Sequence, residues 1–217
     1  MSSELTQQTA QMVKEKFQHE GTGHDWWHIY RVWQMAKRIA REEKDADLET
    51  VELAALLHDI ADWKEHGGDL TAGPREARNW LEQHRAPENQ IAHICDIIAR
   101  SSYKGAGVKD EMPSIEGKIV QDADRLDAIG AIGIARTFAY SGSKGRLIYD
   151  PEKPPTPHQN FDEYKKNTSS TINHFHEKLL LLKDRMHTAT AKKIAQERHE
   201  YMQDYLKRFQ LEWDALK

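Results

Sequence analysis

A histidine beside an aspartate can do acid–base or metal chemistry, and this sequence holds two such pairs, His24-Asp25 and His58-Asp59, in unlike settings. The second pair follows the apolar run Leu53-Ala54-Ala55-Leu56-Leu57, at the inner end of a buried helix. An ionised Asp59 in that place is costly unless it is partnered. Two partners would serve: a hydrogen bond within a satisfied His-Asp core pair, or a divalent cation shared with other donors. A second acidic cluster, Asp122, Asp124 and Asp127, falls among Ile119, Val120, Leu126 and Ile129. An amphipathic helix takes three acids in such company only when at least one faces a cation or a polar cavity. The two clusters together favour the cation.

These residues need helices to carry them. Apolar residues recur at helical spacing through Trp26, Ile29, Tyr30, Trp33 and Ala36, and again from Leu48 through Val51 and Ala55 to Leu57. Further helices are expected at about 4–19, 71–85, 87–101, 115–139, 160–185 and 188–215, and alternating strand patterns are nearly absent. The expectation is an all-α fold. Gly21-Thr22-Gly23 precedes the second helix, where Asp25 suits an N-cap and His28 falls in the first turn. Breaks are read at Gly67-Gly68, at 102–114 and at 141–157, the last rich in Gly, Ser and Pro. Such a long connection is either a binding loop or a surface excursion. Ile194, Met202, Tyr205, Phe209 and Trp213 lie near one face of the last segment, which should pack down.

The arrangement His28, His58-Asp59, Asp124 resembles the four-ligand signature of the HD-domain superfamily of metal-dependent phosphohydrolases. The flanking text is similar to a bacterial branch of small standalone HD hydrolases: HDWWHIYRV around His28, LLHDIADWKEHGGD around the dipeptide and DADRLDAIGAIGIAR around the last acid. The similarity continues through HFHEKLLLLKDRM and TATAKKIAQERHEYM, and so covers most of the chain. It implies a single compact helical bundle of the HD type over residues 1–217, with a metal-binding core at about 20–140 and C-terminal helices at about 160–215 packed on it. It also implies that the metal ligands are His28, His58, Asp59 and Asp124. Asp124 is taken from the Ala-Asp-Arg-Leu text, Asp122 remains the alternative, and Asp127 supports or caps.

Two imidazoles and two carboxylates suit a six-coordinate divalent ion with positions open to water or substrate. Manganese is preferred, with magnesium, iron, cobalt or nickel open. The lone cysteine argues against structural zinc. A divalent ion makes a water nucleophilic at neutral pH and draws charge from a phosphoryl oxygen, so hydrolysis of a phosphoester or phosphoanhydride is the expected reaction. Asp62 stands one helical turn past Asp59, where it could orient or deprotonate that water, and nucleotidase members of the family have an acid at this place. Otherwise it is a solvated residue at a helix end. Candidate phosphate contacts are Arg31, one turn beyond His28, and Arg125, beside Asp124, together with Lys64, His66 and Lys104. Each reads equally well as an ordinary surface charge. His93, His174, His176, His187 and His199 are assigned to packing or surface. Several relatives hold a second metal with a histidine where this chain reads Ile-Ala-Arg-Ser-Ser-Tyr around Arg100 and Ser101; that histidine is missing, so one metal ion is expected.

The bulk properties narrow the partners. Lys and Arg total 31 against 35 Asp and Glu, a net charge of −4, so no positive field draws a nucleic acid polymer. Cys95 cannot form an internal disulfide, and its neighbours Ile91, Ile94 and Ile98 suggest a buried thiol in a reducing compartment. The amino terminus is too polar for a signal peptide, and no stretch approaches the roughly 20 apolar residues of a membrane span, so a cytoplasmic protein is expected. The expected substrate is a small phosphate compound, a nucleotide foremost, with a homodimer left open. Two rival functions remain. One is a nucleoside triphosphate pyrophosphohydrolase or signalling-nucleotide hydrolase, which product analysis separates. The other is a non-catalytic HD-type binding module, which would show no bound divalent ion.

Overall fold

The computed structural model describes residues 2–18, 25–43, 45–61, 69–101, 111–156 and 168–217, and among them every regular element is helical. In chain order these are α1 (Glu4–Phe17), α2 (Trp26–Ala40), α3 (Leu48–Leu57), α4 (Ala72–Gln83), α5 (Glu88–Ser101), α6 (Ile115–Asp127), α7 (Gly130–Ser143), α8 (Thr171–Glu177), a 3₁₀ helix (Leu179–Arg185) and α9 (Ala189–Trp213). The all-α expectation holds. None of these helices is long and apolar enough to cross a membrane.

The chain forms two compact units, whose boundary falls inside α6 between Asp124 and Arg125. In the first, α3 is the centre because its sequence is apolar nearly all round, and every residue from Thr50 to Leu57 is buried. The helix starts where Asp47 accepts from the Glu49 amide at 3.1 Å and from the Thr50 hydroxyl at 2.7 Å. α1, α2 and α5 pack on α3, and α4 packs on α5. Burying leucines such as Leu53, Leu56 and Leu57 is worth about 1.5–3 kcal/mol each. Glu52 is buried with them, and its carboxylate is met by the Ser2 hydroxyl at 2.6 Å, the Trp33 indole N–H at 3.0 Å and the Lys37 ammonium at 3.9 Å. A buried charge so surrounded is satisfied rather than stranded. Asp25 caps α2 as expected, accepting from the His28 amide at 2.8 Å. The cap fixes where the helix starts and therefore where His28 stands.

In the second unit, α9 lies against α7 and the 3₁₀ helix. Its apolar face packs down in part: Met202 is buried and Tyr205 stacks on Phe175 at 6.0 Å, whereas Trp213, also expected on that face, is 48% exposed. Two expected helices are divided. The one at 115–139 breaks at Ile129, which is extended, and resumes at Gly130 with φ +77°. A side chain is strained at that φ, and a Cβ on Gly133 would lie 2.3 Å from the Ala128 carbonyl oxygen. Of the segment 160–185, the described part is α8 and the 3₁₀ helix, separated by the non-helical Lys178. Leu179 and Leu182, three apart, are both buried, which is the spacing a 3₁₀ turn presents to one face. The connection after α7 is anchored: Leu147 and Ile148 carbonyls accept from the Thr171 and Ile172 amides, and Asn173 donates to the Lys153 carbonyl. Cys95 is half-buried rather than buried, its thiol donating to the Pro74 carbonyl at 3.3 Å, and burial pushes its pKa up.

Candidate metal centre

His28 comes from the first turn of α2, His58 closes α3, Asp59 follows it, and Asp124 lies one turn before the end of α6. These four side chains meet. The Nε2 atoms of His28 and His58 are 3.3 Å apart. Asp59 Oδ2 is 3.4 Å from each of them. Asp124 Oδ1 is 3.6 Å from His28 Nε2 and 3.9 Å from His58 Nε2. Ligand atoms of His28, His58 and Asp124 all lie within 4.8 Å of one another, a grouping that could hold a metal ion.

The neighbouring backbone sets the chemistry of one imidazole. His58 Nδ1 lies 2.8 Å from the Ala55 carbonyl, three residues back on α3, and an N–H must sit there to make that bond. In the neutral ring this leaves Nε2 as a lone pair, aimed at carboxylate oxygens and another imidazole nitrogen. Acceptors that converge on one another repel unless a cation or proton lies among them. Adjacent donors around a six-coordinate ion at about 2.1 Å stand about 3 Å apart, so the separations of 3.3–3.9 Å between the imidazole nitrogens and from them to the two carboxylates lie within small side-chain adjustments of ligation. The donors fit a divalent ion. The imidazoles are almost wholly buried, whereas the Asp59 and Asp124 side chains are 24% and 35% exposed, so the cluster opens on its carboxylate side.

The remaining candidates are distributed unevenly. Asp122 is fully buried, and Asp127 accepts from Arg136 Nη1 at 2.9 Å. Of the acids on α6, Asp124 approaches both histidine nitrogens, as Asp59 does from the end of α3. Arg31 is half-buried on α2. Arg125 is buried, and its Nη1 donates to the Arg185 carbonyl at 2.5 Å and lies 3.4 Å from His187 Nε2. Asp62, Lys64, His66 and Lys104 lie outside the described residues. Motif reading missed the Ala55 carbonyl, because a backbone acceptor has no sequence signature; the only hint was that a histidine just past a helix end can reach back three residues.

An all-helical fold with a buried histidine pair flanked by two aspartates defines a class, and comparison with known proteins gives it a name. The HD domain profile matches residues 26–129. The structure of a Bacillus thuringiensis protein described as an HD-superfamily hydrolase aligns with a TM-score of 0.73 at 44% identity, covering 97% of each chain. The uncharacterized Bacillus subtilis protein YpgQ is 41% identical over 196 residues, 90% of this chain and 86% of that protein. The structure of YpgQ in complex with ADP aligns with a TM-score of 0.72 at 34% identity, over 95% of this chain and 97% of that chain. The chain belongs to the HD-domain family, of the small bacterial type, and its fold is that of the HD-superfamily hydrolases.

Proposed function

We propose that the chain is a divalent-metal-dependent phosphohydrolase acting on a nucleotide, with His28, His58, Asp59 and Asp124 holding one metal ion, manganese by preference. The observation that carries this reading is the approach of the Asp59 and Asp124 carboxylates, at 3.4–3.9 Å, to the paired Nε2 atoms of His28 and His58, which are 3.3 Å apart. When bound, the ion makes a water nucleophilic at neutral pH and stabilises charge on a phosphoryl oxygen. The Ala55 carbonyl orients His58 and selects the neutral tautomer whose Nε2 carries the lone pair. Burial of both imidazoles excludes water from that side, and the more open carboxylate side admits the phosphate. Asp62, three residues past Asp59, orients or deprotonates the attacking water. Arg31 is the nearest cation in sequence to His28 suited to a phosphate oxygen. The ADP bound by the related YpgQ supports a nucleotide as the substrate class.

The test is manganese-loaded protein assayed against nucleoside mono-, di- and triphosphates, with orthophosphate and pyrophosphate measured separately. Hydrolysis of at least one nucleotide is expected, with a loss of about 100-fold or more in Asp59→Ala, on the scale of removing a group that stabilises the transition state. Equal rates in the two proteins would overturn the proposal. The ratio of the two products identifies which bond is cut.

A further inference from the structure

The carboxylate of Asp124 is the most exposed of the four donors and stands three residues from the end of α6. Helix ends fray because their last carbonyls lack intrahelical partners. Here the end is held from outside the helix. Arg198, on α9, donates from Nη1 to the Leu126 carbonyl oxygen. The same carbonyl accepts from the Ile129 amide at 3.3 Å, closing a tightened last turn. A guanidinium at this place also faces the negative end of the helix dipole. The residues on either side of Leu126 are tied as well, Arg125 to the Arg185 carbonyl and Asp127 to Arg136.

The path of Arg198 is built into the backbone. A Cβ on Gly130 would lie 2.9 Å from Arg198 Cγ, 3.1 Å from its Cβ and 3.2 Å from its Cδ. The stem of Arg198 thus occupies the space that any side chain at position 130 would need. At the positive φ of Gly130, a glycine is also the residue the backbone favours. The break after α6 and the arginine that crosses it are complementary parts. We infer that Arg198, seated over Gly130, is a positioning residue for the metal centre: by clamping the Leu126 carbonyl it fixes the last turn of α6 and with it the place of the Asp124 carboxylate.

This inference rests on the metal-site reading of the proposed function, and the two can fail separately. Manganese binding is measured by the loss of the free-ion electron paramagnetic resonance signal for the wild type, Arg198→Met, Arg198→Gln and Arg198→Lys, alongside the melting temperature of each metal-free protein. Arg198→Met keeps the apolar stem and removes the donor; Arg198→Gln shortens it; Arg198→Lys restores a cationic donor. The dissociation constant should rise on the order of tenfold in the Met and Gln variants, the scale of losing a group that orients a metal ligand, and return toward wild type in the Lys variant. Wild-type affinity in whichever of the Met and Gln variants folds, with only the metal-free melting temperature lowered, would show that Arg198 merely stabilises the fold and would overturn the inference. An absence of manganese binding in the wild type would remove the site itself, and the inference with it.

Discussion

At the residue scale, types and local text announce the cluster, while orientation comes from the backbone. Asp59 is conspicuous in sequence because a carboxylate at the end of a buried apolar run needs a partner, and the structure sets it 3.4 Å from two imidazole nitrogens. Asp122, Asp124 and Asp127 cannot be ranked by hydropathy, since all three fall among apolar residues. Resemblance to HD text selects Asp124, and the fold separates the three by direction: Asp124 toward the histidines, Asp127 toward Arg136, Asp122 fully buried. The Ala55 carbonyl was invisible in the sequence for the physical reason that every residue has one. On this account Asp124→Asn weakens manganese binding by at least about tenfold. Because its side chain is 35% exposed, the metal-free melting temperature should stay near that of the wild type. Isothermal titration with manganese reads the first quantity and calorimetry the second. Unchanged affinity would return the fourth ligand to Asp122 or another group.

At the scale of elements, periodicity locates helices well and their breaks poorly. Asp25 and the apolar run of α3 could be read directly, because a cap and a nearly uniform apolar surface are local properties. The division between α6 and α7 could not. Its sequence, Ala-Ile-Gly-Ala-Ile-Gly, keeps an apolar character that a continuing helix would share, and the break depends on the positive φ of Gly130 and the close approach of Gly133 to Ala128. The division at Lys178 is similar, since the leucines that follow it, Leu179 to Leu182, would suit a continuing helix equally well. Burial then separates residues that look alike in α3. Leu56 is fully buried and Leu48 is 44% exposed. Leu56→Ala should cost about 2–5 kcal/mol of unfolding free energy, and Leu48→Ala should stay within about 0.5 kcal/mol of wild type. Urea unfolding monitored by circular dichroism compares them, and similar losses would mean that α3 is not the centre of its unit.

At the scale of the molecule, the donor cluster is assembled from α2, the end of α3 and α6, which are far apart along the chain. The fold supplies what no local segment could: two histidines buried side by side and two acids closing over them. The most direct measurement is anomalous scattering from a crystal of the protein soaked in manganese, recorded across the manganese absorption edge. The account predicts one strong peak among His28 Nε2, His58 Nε2, Asp59 Oδ2 and Asp124 Oδ1. A crystal in which manganese scatters elsewhere while these four side chains enclose no peak would contradict it.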